Sequence, residues 1–122
     1  MRNILTICLL GCLLLGACNF NRNDISIVTS DNENQLNFSA NYPENRTAKA
    51  QLYVEKMFNE DRIFKSVSDV KTVEIKLVDG TRFQLSYEPG KVVIDFDRDK
   101  NSFASYKRMK AMIAGFGNAI KD

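Results

Sequence analysis

Residues 71–97 read KTVEIKLVDGTRFQLSYEPGKVVIDFD, and this stretch decides the fold. Apolar side chains alternate with polar ones in three runs: Val73, Ile75 and Leu77; Phe83, Leu85 and Tyr87; Val92, Ile94 and Phe96. A period of two marks a strand with one buried face. Asp79-Gly80 and Pro89-Gly90 separate the runs, so three antiparallel strands are predicted. Their register follows from keeping the apolar faces together, since a slip of one residue turns every side chain to the other face. A two-residue first turn would set Leu77 against Arg82. A three-residue loop, Val78-Asp79-Gly80, pairs Leu77 with Thr81, Ile75 with Phe83 and Val73 with Leu85, and puts Gly80 in a left-handed position. At the second turn, pairing Tyr87 with Val92 aligns Leu85 with Ile94 and Phe83 with Phe96. The opposite face then carries Glu74, Lys76, Arg82, Gln84, Ser86, Val93, Asp95 and Asp97, with Arg82 across from Asp97 and Gln84 across from Asp95.

Upstream, Ile25, Ile27 and Thr29, then Leu36, Phe38 and Ala40, show the same alternation around Asp31-Asn32-Glu33-Asn34. They predict a hairpin with a long loop. Ala50, Tyr53, Val54, Met57 and Phe58 recur at helical spacing and predict a helix from about Pro43 or Thr47 to Asn59. Ile63, Phe64 and Val67 are the expected anchors of an irregular link. Downstream, Phe103, Tyr106, Met109, Ile113, Phe116 and Ile120 form the apolar stripe of a last helix, with Asn101 or Ser102 as its N-cap. The small residues Ala111, Gly115 and Ala119 predict close packing of that helix on the sheet. The order is ββαβββα. It predicts an α+β fold in two layers, an antiparallel sheet with both helices on one face, in a single domain over residues 25–122. Phe38, Phe58, Phe64, Phe83, Phe96, Phe103 and Phe116 are assigned to its core.

Composition excludes whole classes of chemistry. The chain of 122 residues has no histidine, which removes Ser-His-Asp and Cys-His catalysis and His-ligated metals. Its three cysteines, Cys8, Cys12 and Cys18, all lie near the start, so no disulfide or Cys-metal site is available to the domain. The formal charge is +2, with acids and bases interleaved, and no Lys/Arg run is longer than Lys107-Arg108. A nucleic-acid partner is not expected from such a distribution.

The first residues are of another kind. Arg2 supplies a positive charge, Ile4 to Leu15 is an apolar run too short to span a membrane, and Leu15-Gly16-Ala17-Cys18 follows. This pattern resembles the lipobox of bacterial lipoproteins: an aliphatic residue, two small residues and a cysteine. The resemblance implies that residues 1–17 are a signal peptide and that Cys18 becomes the lipidated first residue. Two or three acyl chains on one residue give stable anchoring. Asn19, where enterobacterial lipoproteins retained in the inner membrane carry aspartate, resembles the outer-membrane default. Residues 18–24 then form the lipidated cysteine and a short polar tether.

Two acidic patterns bear on chemistry. Asp95, Asp97, Asp99 and Asn101 resemble the start of an EF-hand calcium loop, but Lys100 stands where that loop needs glycine and Tyr106 where it needs glutamate. No metal and no cofactor is therefore expected. Asp95 and Asp97 also form a carboxylate pair, but they alternate on a solvated strand face near Arg82 and Lys76 rather than flanking a cleft. The expected function is that of a non-enzymatic, lipid-anchored envelope protein with a protein partner, of the inhibitor, immunity or envelope-accessory kind. Glu74, Lys76, Arg82, Gln84, Asp95 and Asp97 are its candidate partner-binding face, unless that face is merely solvated. A periplasmic small-ligand carrier is the alternative, and a carboxylate-dependent hydrolase a more distant one.

Overall fold

In the computed structural model of the protein, residues 24–121 are described. The signal segment, Cys18 and the tether as far as Asn23 lie outside them. The elements follow the expected order: β1 (Ser26–Asp31), β2 (Gln35–Asn41), α1 (Thr47–Phe58), β3 (Lys71–Lys76), β4 (Arg82–Glu88), β5 (Lys91–Asp97) and α2 (Phe103–Ile120). Short 3-10 turns at Glu44–Arg46 and Arg98–Lys100 lead into the two helices. The strands form one antiparallel sheet in the order β1-β2-β5-β4-β3.

Both helices cover the same side of this sheet. Phe58 of α1 packs at a tilt on Phe83 of β4 with ring centroids 5.4 Å apart, and Phe116 of α2 meets Phe38 of β2 edge-on at 5.1 Å. Leu36, Ala40, Leu85, Val92, Ile94 and Phe96 are fully buried beneath them. The register of the meander is the one that joins apolar faces: Val73 pairs with Leu85, Ile75 with Phe83, Leu85 with Ile94 and Tyr87 with Val92. At the first turn the Leu77 N–H donates to Thr81 O at 2.8 Å, and Gly80 takes φ +93. The ladder between β4 and β5 ends at Gln84 and Asp95, so the expected pairs Phe83–Phe96 and Arg82–Asp97 lie beyond it.

Several expectations are corrected by burial. The β1–β2 loop is short: the Asn32 carboxamide oxygen accepts from the Asn34 and Gln35 N–H groups, both at 2.9 Å, and Asp31 already pairs with Leu36. As an edge strand that α2 only borders, β1 is exposed along its length, Ile27 included. In the link, Ile63 and Phe64 are buried but Val67 is exposed; Phe64 packs edge-on against Tyr87 at 4.8 Å. On α1, Met57 lies at the exposed margin, while the polar Thr47 and Gln51 are buried.

The last helix is rolled relative to its predicted stripe. Ser105, Met109, Met112, Phe116 and Ile120 face the core, Tyr106 and Ile113 flank it, and Phe103 is 68% exposed. The N-cap explains the roll. Ser102 Oγ accepts from Ser105 N at 3.0 Å, and the Ser105 hydroxyl turns inward to Thr81 Oγ1 at 2.6 Å. A buried hydroxyl left alone is costly, and each of these satisfies the other. Gly115 serves a helix–helix contact rather than a helix–sheet one. Tyr53 of α1 donates its hydroxyl to Met112 O at 2.7 Å, and a Cβ on Gly115 would stand 2.6 Å from the Tyr53 hydroxyl oxygen.

Candidate functional site

With both helices on one side, the other face of the sheet is uncovered. Its side chains fall into cross-strand rows set by the ladders. One row runs Val28, Ser39, Val93, Ser86, Thr72, and the next Ser30, Asn37, Asp95, Gln84, Glu74. The first is small and β-branched, with Thr72 Oγ1 and Ser86 Oγ 3.0 Å apart. The second is polar, and in it Asn37 Oδ1 is buried between its neighbours without a hydrogen-bond partner among the described residues.

A groove of about 200 Å³ opens at the end of this face. Glu74, Arg82, Gln84, Asp95 and Asp97 line it, together with Gln35, Lys100 and Asn101. Five of the six residues singled out in the sequence are therefore brought to one place by strand alternation. The sixth, Lys76, pairs with Arg82 across β3 and β4 but does not line the groove.

Asn101 organises the groove, a role that sequence reasoning did not give it. Its carboxamide accepts from Arg82 N at 2.8 Å and donates to Arg82 O at 3.0 Å and to Asp97 O at 2.8 Å. The side chain thus stands in for a strand segment and continues the sheet where the β4–β5 ladder stops. Arg82 and Asp97 are held on either side of it, and no ion pair joins them among the described residues. Asp97 Oδ1 accepts from Asp99 N at 2.9 Å and caps the following 3-10 turn. Of the side-chain oxygens that resemble a calcium loop, those of Asp97 and Asn101 are engaged in these local bonds, and the described residues hold no group of three or more side chains that could hold a metal ion. The sequence did mark Asn101, as a cap or a loop ligand; pairing of a carboxamide with a strand edge has no composition signal.

A second polar cluster joins the hairpin to α2. Asp31 accepts from the Tyr106 hydroxyl at 2.6 Å and from Lys110 Nζ at 2.9 Å, with Arg98 3.5 Å away. The Arg98 guanidinium also lies 3.9 Å over the Tyr106 ring. The Tyr106 hydrogen bond, then Lys110 and Arg98, hold the Asp31 carboxyl below its ordinary value. A depressed value in the folded state stabilises the fold above the unfolded value of about 3.9, and that contribution is lost as pH falls through the folded value. Asp31→Asn should therefore be less stable than the unsubstituted protein at pH 7, with the gap closing on acidification below about pH 4. Urea melts across pH check this; a gap that ignores pH would show that the carboxylate charge contributes nothing.

The site offers charges of both signs and amide groups on an open face, which suits recognition of a polar surface by hydrogen bonds. No protein-family model, curated protein or solved structure matches the chain. No helix among the described residues is long and apolar enough to cross a membrane.

Proposed function

We propose that the protein is a lipid-anchored protein of the bacterial envelope, held through Cys18 at the outer membrane, that binds a protein partner with the uncovered face of its sheet and catalyses no reaction. The observation that carries the partner-binding part is the groove, where Glu74, Arg82, Gln84, Asp95 and Asp97 converge on a face that no helix covers. The anchor rests on the resemblance of Leu15-Gly16-Ala17-Cys18 to a lipobox. A tether that begins at the lipid and a binding face on a rigid sheet make a module that presents one surface to an envelope component.

Two measurements test the two parts. The N-terminal peptide of the membrane fraction should carry acyl chains on Cys18, and Cys18→Ala should leave an uncleaved, unlipidated precursor; a different, lipid-free mature N-terminus removes the anchor. A photocrosslinker placed at Gln84 in growing cells should yield one discrete envelope adduct. Arg82→Ala combined with Asp97→Ala should lower its yield roughly tenfold, equivalent to about 1.4 kcal/mol of binding, with folding retained. An adduct indifferent to both substitutions would show that the groove is only a solvated surface.

A further inference from the structure

The helical layer carries a charge pattern that the partner-binding face does not explain. Within α1 and α2 stand five basic residues, Lys49, Lys56, Lys107, Arg108 and Lys110, against one acidic residue, Glu55. Glu55 is half-buried and accepts from Phe64 N at 3.1 Å. Arg108 is engaged with Asp79 and with Phe58 O, and Lys110 with Asp31. Lys49, Lys56, Lys107 and Lys121 are exposed and form no ion pair among the described residues. The remaining acids near this layer, Glu44, Glu60 and Asp61, stand at the ends of α1. Two apolar side chains are exposed beside lysines: Leu52 is 65% exposed in a groove it shares with Glu55, Lys56, Glu60 and Asp61, and Phe103 is 68% exposed with Lys107 Nζ 5.6 Å above its ring. Exposed lysines interleaved with exposed apolar side chains are the composition of helices that lie on anionic bilayers.

The entry point of the chain places the same layer near the anchor. Ile25 lines a groove with Gly117, Asn118 and Lys121 at the C-terminal end of α2. There Lys49 Nζ donates to Lys121 O at 3.3 Å and Arg46 donates to Ile120 O. From Cys18 to Asp24 is six residues, a reach of roughly 20 Å at most. A lipid on Cys18 would keep this basic end within that distance of the membrane. The outer sheet face has no comparable excess, since Lys76, Arg82 and Lys91 stand among Glu74, Glu88, Asp95 and Asp97.

From charge and reach together we infer that the helical layer lies against anionic phospholipid headgroups of the membrane that anchors the protein, turning the groove of the sheet away from the bilayer. This orientation rests on the lipoprotein reading. It also gives that reading a geometry, because the partner-binding face is then the one most distant from lipid.

The test uses the full mature lipoprotein, acyl chains included, in vesicles of phosphatidylcholine alone or with about a third phosphatidylglycerol. Cys8 and Cys12 lie in the predicted signal, and the Cys18 thiol is taken up by lipid, so one introduced cysteine carries the label. A fluorophore on Leu52→Cys or Ala114→Cys should be quenched by headgroup nitroxide lipid at least twofold more in anionic than in neutral vesicles. The same label on Ser86→Cys or Ser30→Cys should not change. High salt should erase the difference by screening, and so should combined Lys49, Lys56, Lys107 and Lys121→Gln. Equal quenching on both faces, or a helix signal indifferent to anionic lipid, overturns the orientation. So does an acidic protein captured at the helical layer while the labels ignore phosphatidylglycerol. Mass of the N-terminal peptide keeps the two ideas apart. An unacylated Cys18 removes the anchor and the orientation built on it, whereas an acylated protein with equal quenching removes the orientation alone.

Discussion

Phe116→Ala should lower the stability of the domain by about 3–5 kcal/mol, the usual cost of deleting a buried phenylalanine. Phe116 is fully buried at the point where α2, α1 and β2 meet. Its ring stands edge-on to Phe38 at 5.1 Å and to Tyr53 at 5.8 Å, and tilted to Tyr42 at 6.1 Å. Truncation removes three ring contacts and opens a cavity whose walls are held in place. Two of those walls are pinned: Tyr53 by its bond to Met112 O, and Phe38 within a strand paired on both sides. Small domains have about 5–15 kcal/mol in total, so the loss is a large share. Phe103→Ala is the internal control, because that ring is mostly in water and its removal should cost under about 0.5 kcal/mol. Urea melts of a lipid-free form beginning at Asn19 compare the two. A loss at Phe116 no larger than at Phe103 would mean that α2 does not seat on the sheet through this ring.

The contrast between the two phenylalanines also shows what was legible in the sequence. Both fit a helical apolar stripe by spacing alone, but only one can reach the sheet. The decision between them lies in Ser102 and Ser105, whose cap and inward hydroxyl fix the roll of α2, and hydrophobic periodicity has no access to such a bond. Strand registers were legible for the opposite reason. A period of two leaves only two choices, and at each turn one of them buries Arg82 or exposes Phe83. The gathering of Glu74, Arg82, Gln84, Asp95 and Asp97 on one face follows from that same parity. The closure of their groove does not, because Asn101 reaches it from the segment after the last strand. The exposure of Ile27 follows from position rather than pattern: its alternation is that of a strand, but β1 is an edge that α2 only borders, with Ile27 Cδ1 3.3 Å from where a Cβ on Gly117 would stand.

Gly90→Ala should cost roughly 2–5 kcal/mol, and Gly80→Ala only about 1–2 kcal/mol, although both glycines sit in turns of the same meander. The two share one penalty. Gly80 has φ +93 and Gly90 φ +83, and a side chain disfavours this left-handed backbone. They differ in surroundings. A Cβ at Gly80 would meet nothing within 4 Å, whereas at Gly90 it would stand 2.8 Å from the backbone oxygen of Tyr42. That oxygen cannot retreat cheaply, since the Tyr42 N–H donates to Gly90 O at 2.9 Å and the Gly90 N–H donates to Thr47 Oγ1 at 2.9 Å. The β4–β5 turn is thereby tied to the segment that leads from β2 into α1, and an added methyl pushes the two apart. Denaturant midpoints at constant m-value read the difference. Equal losses at the two positions would mean that the turn and the β2–α1 connection are not in contact. The groove of the sheet lies among other residues, those around Arg82, Asp97 and Asn101. The folded fraction of Gly90→Ala should therefore still form the Gln84 adduct, which separates damage to the fold from damage to the binding face.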